Sequence, residues 1–440
     1  MNPFFYGLPA TPAQLIGRRP LLRRIVGRIV NHGQSTALVG EPRLGKSSLL
    51  QYLEAPQVRN TLYGEAAQTL VFAALDNEAL PANFTPAQFW ERVLQPLKTQ
   101  WIDPAPDSDL AKHYQLCQGN QFGMFTLETL LRTLHIQHLR LVVLLDEFDQ
   151  LLYHPILCSA EFFGGLRMLA SRSQGALVIV AASRLPLSRL NAETQRFNPT
   201  GSPYFNIFAE FILGGFTEKE SDELLALAGE RFSAADRHYL RWLAGGHPYL
   251  LQAAASSLWD VYTEGVDKDD LLRSHVLQQL YSEHTHHFSD TWRVWSPQTR
   301  QAFTSVALLH AKGLLLGRAF DLNDFLEAIP SWEPELKQLE MVGMVQRHPS
   351  AIGGWRIKQN TMLAWLTDEL LRSVRADDDL AQWLQASELE RFWKRGQREA
   401  VVKAITGVGK GTVNLAERLL QAYAAGSAMG EAVVPGQPGP

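Results

Sequence analysis

Short aliphatic runs separated by longer amphipathic stretches dominate the first half of this chain. Residues 36–39 (Thr-Ala-Leu-Val), 68–75, 141–145 and 175–182 are nearly unbroken in Leu, Val, Ile, Ala and Phe. Such runs predict parallel strands covered on both faces, because a strand with one wet face alternates instead. Helical spacing fills the intervals: residues 48–53 continue the first run, and Thr85-Pro86 opens a helix with proline in its first turn. Strand and helix alternate from residue 36 to about 216, which predicts an α/β fold, a mostly parallel sheet flanked by helices.

Beyond that point the pattern turns helical. Thr217-Glu218-Lys219-Glu220 has the form of a capped helix start, and Leu224, Leu225, Leu227, Tyr239, Leu240, Trp242 and Leu243 recur at the spacing of packed helices. An all-α unit is expected over residues 217–294. Residues 298–311, 322–329 and 332–344 read as further helices, then His348-Pro349-Ser350 breaks the chain and residues 353–357 read as a strand. Helices followed by a β-wing predict a winged-helix domain over residues 295–375. A small helical region with Trp383, Leu384, Leu389 and Trp393 follows over 376–428, and the Pro/Gly-rich residues 429–440 are expected to be disordered. The first unit, residues 1–216, is expected to be the ligand-binding core.

Composition narrows the classes. The chain has 440 residues, 46% hydrophobic and 20% charged, with a net charge of −4, so it buries several cores and shows no global basic footprint for nucleic acid. Cys117 and Cys158 are its 2 cysteines and form no disulfide or zinc pattern. No leader segment opens the chain and no run approaches the ~18 apolar residues that span a bilayer, so a cytoplasmic protein without membrane contact is expected. His284, His286 and His287 read as a solvated helix end. In the last helix before the wing, Glu333, Glu335 and Glu340 outweigh Lys337, so DNA reading is disfavoured. The arginines 18, 19, 23, 24 and 28 keep a DNA-linked loader or regulator open as the alternative.

The chemistry sits where strands end. Gly40-Glu41-Pro42-Arg43-Leu44-Gly45-Lys46-Ser47 fits G-x-x-x-x-G-K-S directly after the first strand, and Ser48 starts the helix. Glycines there turn backbone N–H groups toward phosphates, Lys46 reaches the β- and γ-phosphates, and Ser47 offers a hydroxyl to Mg²⁺. After the run at 141–145 come Asp146 and Glu147, suited to the Mg²⁺ shell and to the attacking water respectively; Asp149 reads as a cap. Ser183-Arg184 ends the run at 175–182 and faces the same crevice. Gly407-Val408-Gly409-Lys410 imitates a phosphate loop without its spacing or strand, and reads as a turn.

On these motifs the chain resembles the STAND branch of the AAA+ P-loop ATPases, relatives of the NACHT and NB-ARC proteins, archaeal-type ATPases and ORC-like initiators, over residues 4–370. Ile16-Gly17-Arg18-Arg19-Pro20 is similar to the "GRE" box, with Arg19 where the family has Glu. Residues 202–208 and 213–220, and Gly245-Gly246-His247-Pro248, are further matches. The resemblance implies ATP or ADP with Mg²⁺, Gly17 and Arg18 beside the base, Ser183 and Arg184 as sensors, and Pro248 on the adenine. It places an arginine finger in the loop holding Arg189 and Arg196. It further implies slow ATP hydrolysis in a switch that assembles with itself or an effector, in signalling or defence, with the winged domain as its moving part. No repeats follow as a sensor.

Overall fold

The computed structural model describes residues 1–265, 269–315 and 323–375, together with Gln385 alone. The helical region expected over 376–428, its loop-like Gly407–Lys410 stretch and the tail lie outside the described residues. The chain forms two compact units: Gly7–Leu213, and Met1–Tyr6 together with the chain from Gly214 onward.

In the first unit, β1 (Thr36–Val39), β2 (Leu70–Asp76), β3 (Arg140–Asp146), β4 (Leu177–Ser183) and β5 (Ala209–Ile212) make a five-stranded sheet in the order β2-β3-β4-β1-β5. All four pairings are parallel. Helices α1 (Arg19–Gly27), α2 (Lys46–Glu54), α3 (Pro56–Tyr63), α4 (Pro86–Leu97), α5 (Asp109–Gly119), α6 (Met124–Ile136), α7 (Ala160–Arg172) and α8 (Leu187–Thr194) surround it. Alternate strand residues feed two cores. Val71, Ala73, Leu141, Val143, Ile179 and Ala181 join the cluster containing α4 to α7. Phe72, Val142, Leu144, Val178 and Val180 join the one containing α1 and α2. That division explains the unbroken aliphatic runs: both faces are covered. Thr85 and Gln88 close a capping box on α4, with Pro86 at its start. β5, an edge strand of half-buried and exposed residues (Ala-Glu-Phe-Ile), carries no such run and was not legible as a strand.

The second unit comprises α9 (Glu218–Leu225), α10 (Ala234–Ala244), α11 (Pro248–Thr263), α12 (Asp269–Val294), α13 (Pro297–Leu315), α14 (Asn323–Ala328), α15 (Glu333–Val342) and α16 (Asn360–Arg375). An antiparallel hairpin of β6 (Val345–Arg347) and β7 (Trp355–Ile357) separates α15 from α16. Thr217 and Glu220 form the expected capping box. The first six residues pack here, although the sequence suggests that they begin the sheet unit: Phe4 stacks on Phe232 at 5.6 Å, and Asn2 Nδ2 donates to Ser256 Oγ at 2.8 Å.

The histidine stretch differs from its sequence reading as a solvated end. His284 and His287 are buried on the inner side of α12, where Tyr249 Oη lies 3.0 Å from His284 Nδ1. Helical spacing puts positions 284, 287 and 288 on one face, and Phe288 is buried with them. Among the described residues no group of three or more His, Cys, Asp or Glu is placed to hold a metal ion. None of the described helices is long and apolar enough to cross a membrane.

Candidate functional site

The loop between β1 and α2 is built on backbone geometry. Gly45 caps α2 from the left-handed region, φ 95°, and Arg43 shares that region at φ 63°. Gly40 is required for space: a Cβ there would stand 2.8 Å from the Leu213 carbonyl oxygen. Its N–H donates to Ser183 O at 3.1 Å, which fastens the loop to the end of β4. Leu44 is buried beneath the loop, and Arg18 Nη2 donates to its carbonyl at 3.3 Å. Gly17 and Arg18 both have positive φ, so the sharp turn before α1 is what carries the Arg18 side chain back to the loop.

Lys46 is buried at the first position of α2, its Nζ donating to Gly40 O at 2.8 Å and Glu41 O at 3.1 Å. Burial pushes its ammonium below the ordinary lysine range, against the opposing pull of Glu147, Asp149 and Asp146. A buried cation resting on loop carbonyls, at the N-terminus of a helix, fits a polyphosphate. Ser47 follows it on α2, partly exposed. The neighbouring Ser48 hydroxyl accepts from Ala10 N at 2.9 Å and so fixes the segment before α1.

The acidic corner lies across the sheet order. β4 separates β1 from β3, so the loop and the acidic strand end flank Ser183-Arg184. Asp146 is the last residue of β3, and its carbonyl accepts from Asn77 N at 3.1 Å and Asn77 Nδ2 at 2.6 Å. Asp146 Oδ1 accepts from Glu147 N at 3.0 Å. Glu147 is held at φ 46°, a left-handed conformation that costs a non-glycine residue on the order of 1 kcal/mol or more. Its Oε2 is 3.2 Å from Arg184 Nε without the alignment of a hydrogen bond, and makes no other. Burial raises the Glu147 carboxyl above its usual range, and Lys46 and Arg184 pull it back. A raised carboxylate is the more basic one.

Asp149 is where reading a cap falls short. It lies in the short 3₁₀ turn Phe148–Leu152, is buried, and accepts from Arg184 N at 3.0 Å and Arg184 Nε at 3.3 Å. The D-E-x-D spacing was the available signal: one turn after β3 returns the second Asp to the neighbouring strand end. Asn77, at the end of β2, was also missed, since its role depends on a strand paired only in three dimensions. Ser183 is fully buried, and its hydroxyl donates to Leu185 O at 2.8 Å; its link to the loop is through its carbonyl. Arg196 Nη2 donates to Leu152 O at 2.8 Å and Cys158 Sγ at 3.1 Å within its own chain, whereas Arg189 is exposed on α8. Pro248 is the first residue of α11, in the second unit.

A model of the AAA-like domain family matches residues 8–311, well over half of the chain. The chain belongs to that family. This AAA-like protein is similar in fold to the Walker-type ATPase PABY2304 of Pyrococcus abyssi, with a TM-score of 0.51 at 15% identity over 83% of this chain and 99% of that one. The Aeropyrum pernix ORC2 protein, solved as ADPNP-ADP complexes, is similar at a TM-score of 0.45 and 15% identity, over 82% and 95%. Drosophila ORC bound to DNA is similar at 0.40 and 16%, over 81% and 88%. No curated protein matches the chain.

Proposed function

We propose that this AAA-like protein binds and slowly hydrolyses ATP, and that the nucleotide state controls its assembly or its hold on an effector, as in STAND-type switches. The observation that carries the reading is the convergence of Lys46, Asp146, Glu147 and Arg184 on the strand ends beside a glycine-supported loop. Residues 40–48 cradle the phosphates; Gly17, Arg18 and Pro248 are assigned to the base. Ser47 and Asp146 would hold Mg²⁺, which would supply neutralisation of the phosphate charge. Glu147 accepts a proton from water as its oxygen bonds to the γ-phosphorus; the bond from that phosphorus to the ADP oxygen breaks, and ADP leaves with the electron pair. Lys46 and Arg184 stabilise the transferred group. α9 to α12 serve as a lid, and α13 to α15 with the β6–β7 hairpin as a winged helix that moves between states. The acidity of α15 favours this over DNA reading, and the exposed Arg189 is the arginine to reach a neighbouring copy.

Thermal melting tests the reading. Saturation at about a hundred times Kd stabilises a fold by roughly 2.7 kcal/mol. Mg·ATP should raise the melting temperature of the wild type and of Glu147→Gln but not of Lys46→Ala. An unmoved wild-type melt at millimolar ATP rejects a working nucleotide site.

A further inference from the structure

The second unit carries a half-open pocket of about 340 Å³, whose lining includes Arg241, Trp242, His310, Arg356, Lys358 and Asn360. Arg356 and Lys358 stand two positions apart along an extended stretch, which turns both side chains to one side. Glu218 is the only carboxylate among the described lining residues, while Arg241 is paired with Asp222. Burial lowers the pKa of both Arg356 and Lys358; Glu218 and Glu340 oppose it for Lys358 alone. Among the described residues no carboxylate opposes the charge of Arg356; its Nε and Nη2 donate to the Gln346 amide oxygen across the hairpin, which leaves Nη1 for a ligand.

The remaining groups are set for a ligand. Ile357 N donates to His310 Nδ1 at 3.2 Å, and burial, aided by Arg356, pushes the His310 pKa down to about 4. At neutral pH the ring is therefore neutral with its proton on Nε2, a donor without charge. Asn360 is buried, its Nδ2 donating to Trp242 O at 2.9 Å, and its Oδ1 has no partner. A cavity of this size is at the small end of ligand sites.

We propose that this cavity binds a small phosphate-bearing molecule, its dianionic group held by Arg356, Lys358 and the His310 N–H, with Asn360 Oδ1 receiving a ligand donor. Trp242 covers the ligand's less polar part. Guanidinium, ammonium and a neutral N–H together match the acceptor oxygens of a phosphate. Every lining residue belongs to the second unit, and none of the residues assigned to the phosphates, the metal or the attacking water is among them.

The test uses the full chain carrying Lys46→Ala, which removes phosphate binding at the β1–α2 loop. Inorganic phosphate and, separately, ribose 5-phosphate are titrated at constant ionic strength, read by melting temperature and tryptophan fluorescence. A saturable shift with either supports the site; a shift with ribose 5-phosphate alone means that the body of the ligand contributes. Arg356→Gln and Lys358→Gln, both at least partly exposed and each checked for folding by circular dichroism, should each weaken binding roughly tenfold or more, as loss of a charge-assisted hydrogen bond implies. No shift at millimolar ligand, or shifts equal in both variants, overturns the proposal. So does a short DNA duplex whose binding needs Arg356 when neither small probe binds, because that marks a nucleic-acid surface.

Discussion

Asp149 uses both carboxylate oxygens on Arg184, and Arg184 in turn stands beside Glu147. In the proposed reaction Asp149 would act as a positioning residue. Asp149→Ala should lower kcat for ATP hydrolysis by roughly tenfold to a hundredfold, the scale of a misplaced catalytic group, while the Kd for ATP stays nearly constant. Phosphate release and equilibrium binding measured together separate these, and an unchanged kcat would show that Arg184 needs no anchor. Glu147 makes a pH prediction. Its carboxyl is raised, chiefly by burial, and must be ionised to accept a proton, so the acid limb of kcat/KM should lie above the usual carboxylate range. Arg184 lowers that pKa, hence Arg184→Ala should move the limb to higher pH; a limb that moves down contradicts the pairing. Lys46, Asp146 and Glu147 were legible because they stand at fixed offsets from aliphatic runs. Asp149 and Asn77 were not, because what they do depends on which strand ends lie side by side.

At the scale of elements, uninterrupted hydrophobicity made β2, β3 and β4 readable, and the doubly covered sheet supplies the reason. β5 is a half-exposed edge strand paired with the distant β1, and β6 is a three-residue strand of a hairpin, too short to show alternation, so no local pattern marks either. His310 joins α13 to the hairpin through Ile357 N. Its folded pKa is depressed from 6.5 to about 4, chiefly by burial, so the unfolded chain binds the proton more tightly. Stability is full above pH 6.5 and falls as pH drops toward 4, by up to about 3 kcal/mol from this group. Urea midpoints of wild type and His310→Gln across that window should differ in slope, the variant being flatter. Parallel slopes would mean that His310 is not held neutral.

For the whole molecule, the chain passes between its two units at Tyr6–Gly7 and again at Leu213–Gly214. The N-terminal residues are structural for the second unit: Phe4 is buried against Phe232 and Trp259. Phe4→Ala should cost about 3 kcal/mol, the lower range for a buried phenylalanine, and the loss should appear in amide exchange of α11 rather than of the sheet. Loss of protection in β1 to β4 instead would contradict the assignment of residues 1–6. The central claim is that nucleotide state is read beyond the phosphates, which requires the second unit to make different contacts in two states. Hydrogen exchange of Glu147→Gln with Mg·ATP, set against the same protein with Mg·ADP, measures this most directly. A switch should show altered protection in α11, α13 and the β6–β7 hairpin as well as at the loop. Differences confined to residues 40–48, 146–149 and 183–184 would contradict it and leave a nucleotide binder without a switch.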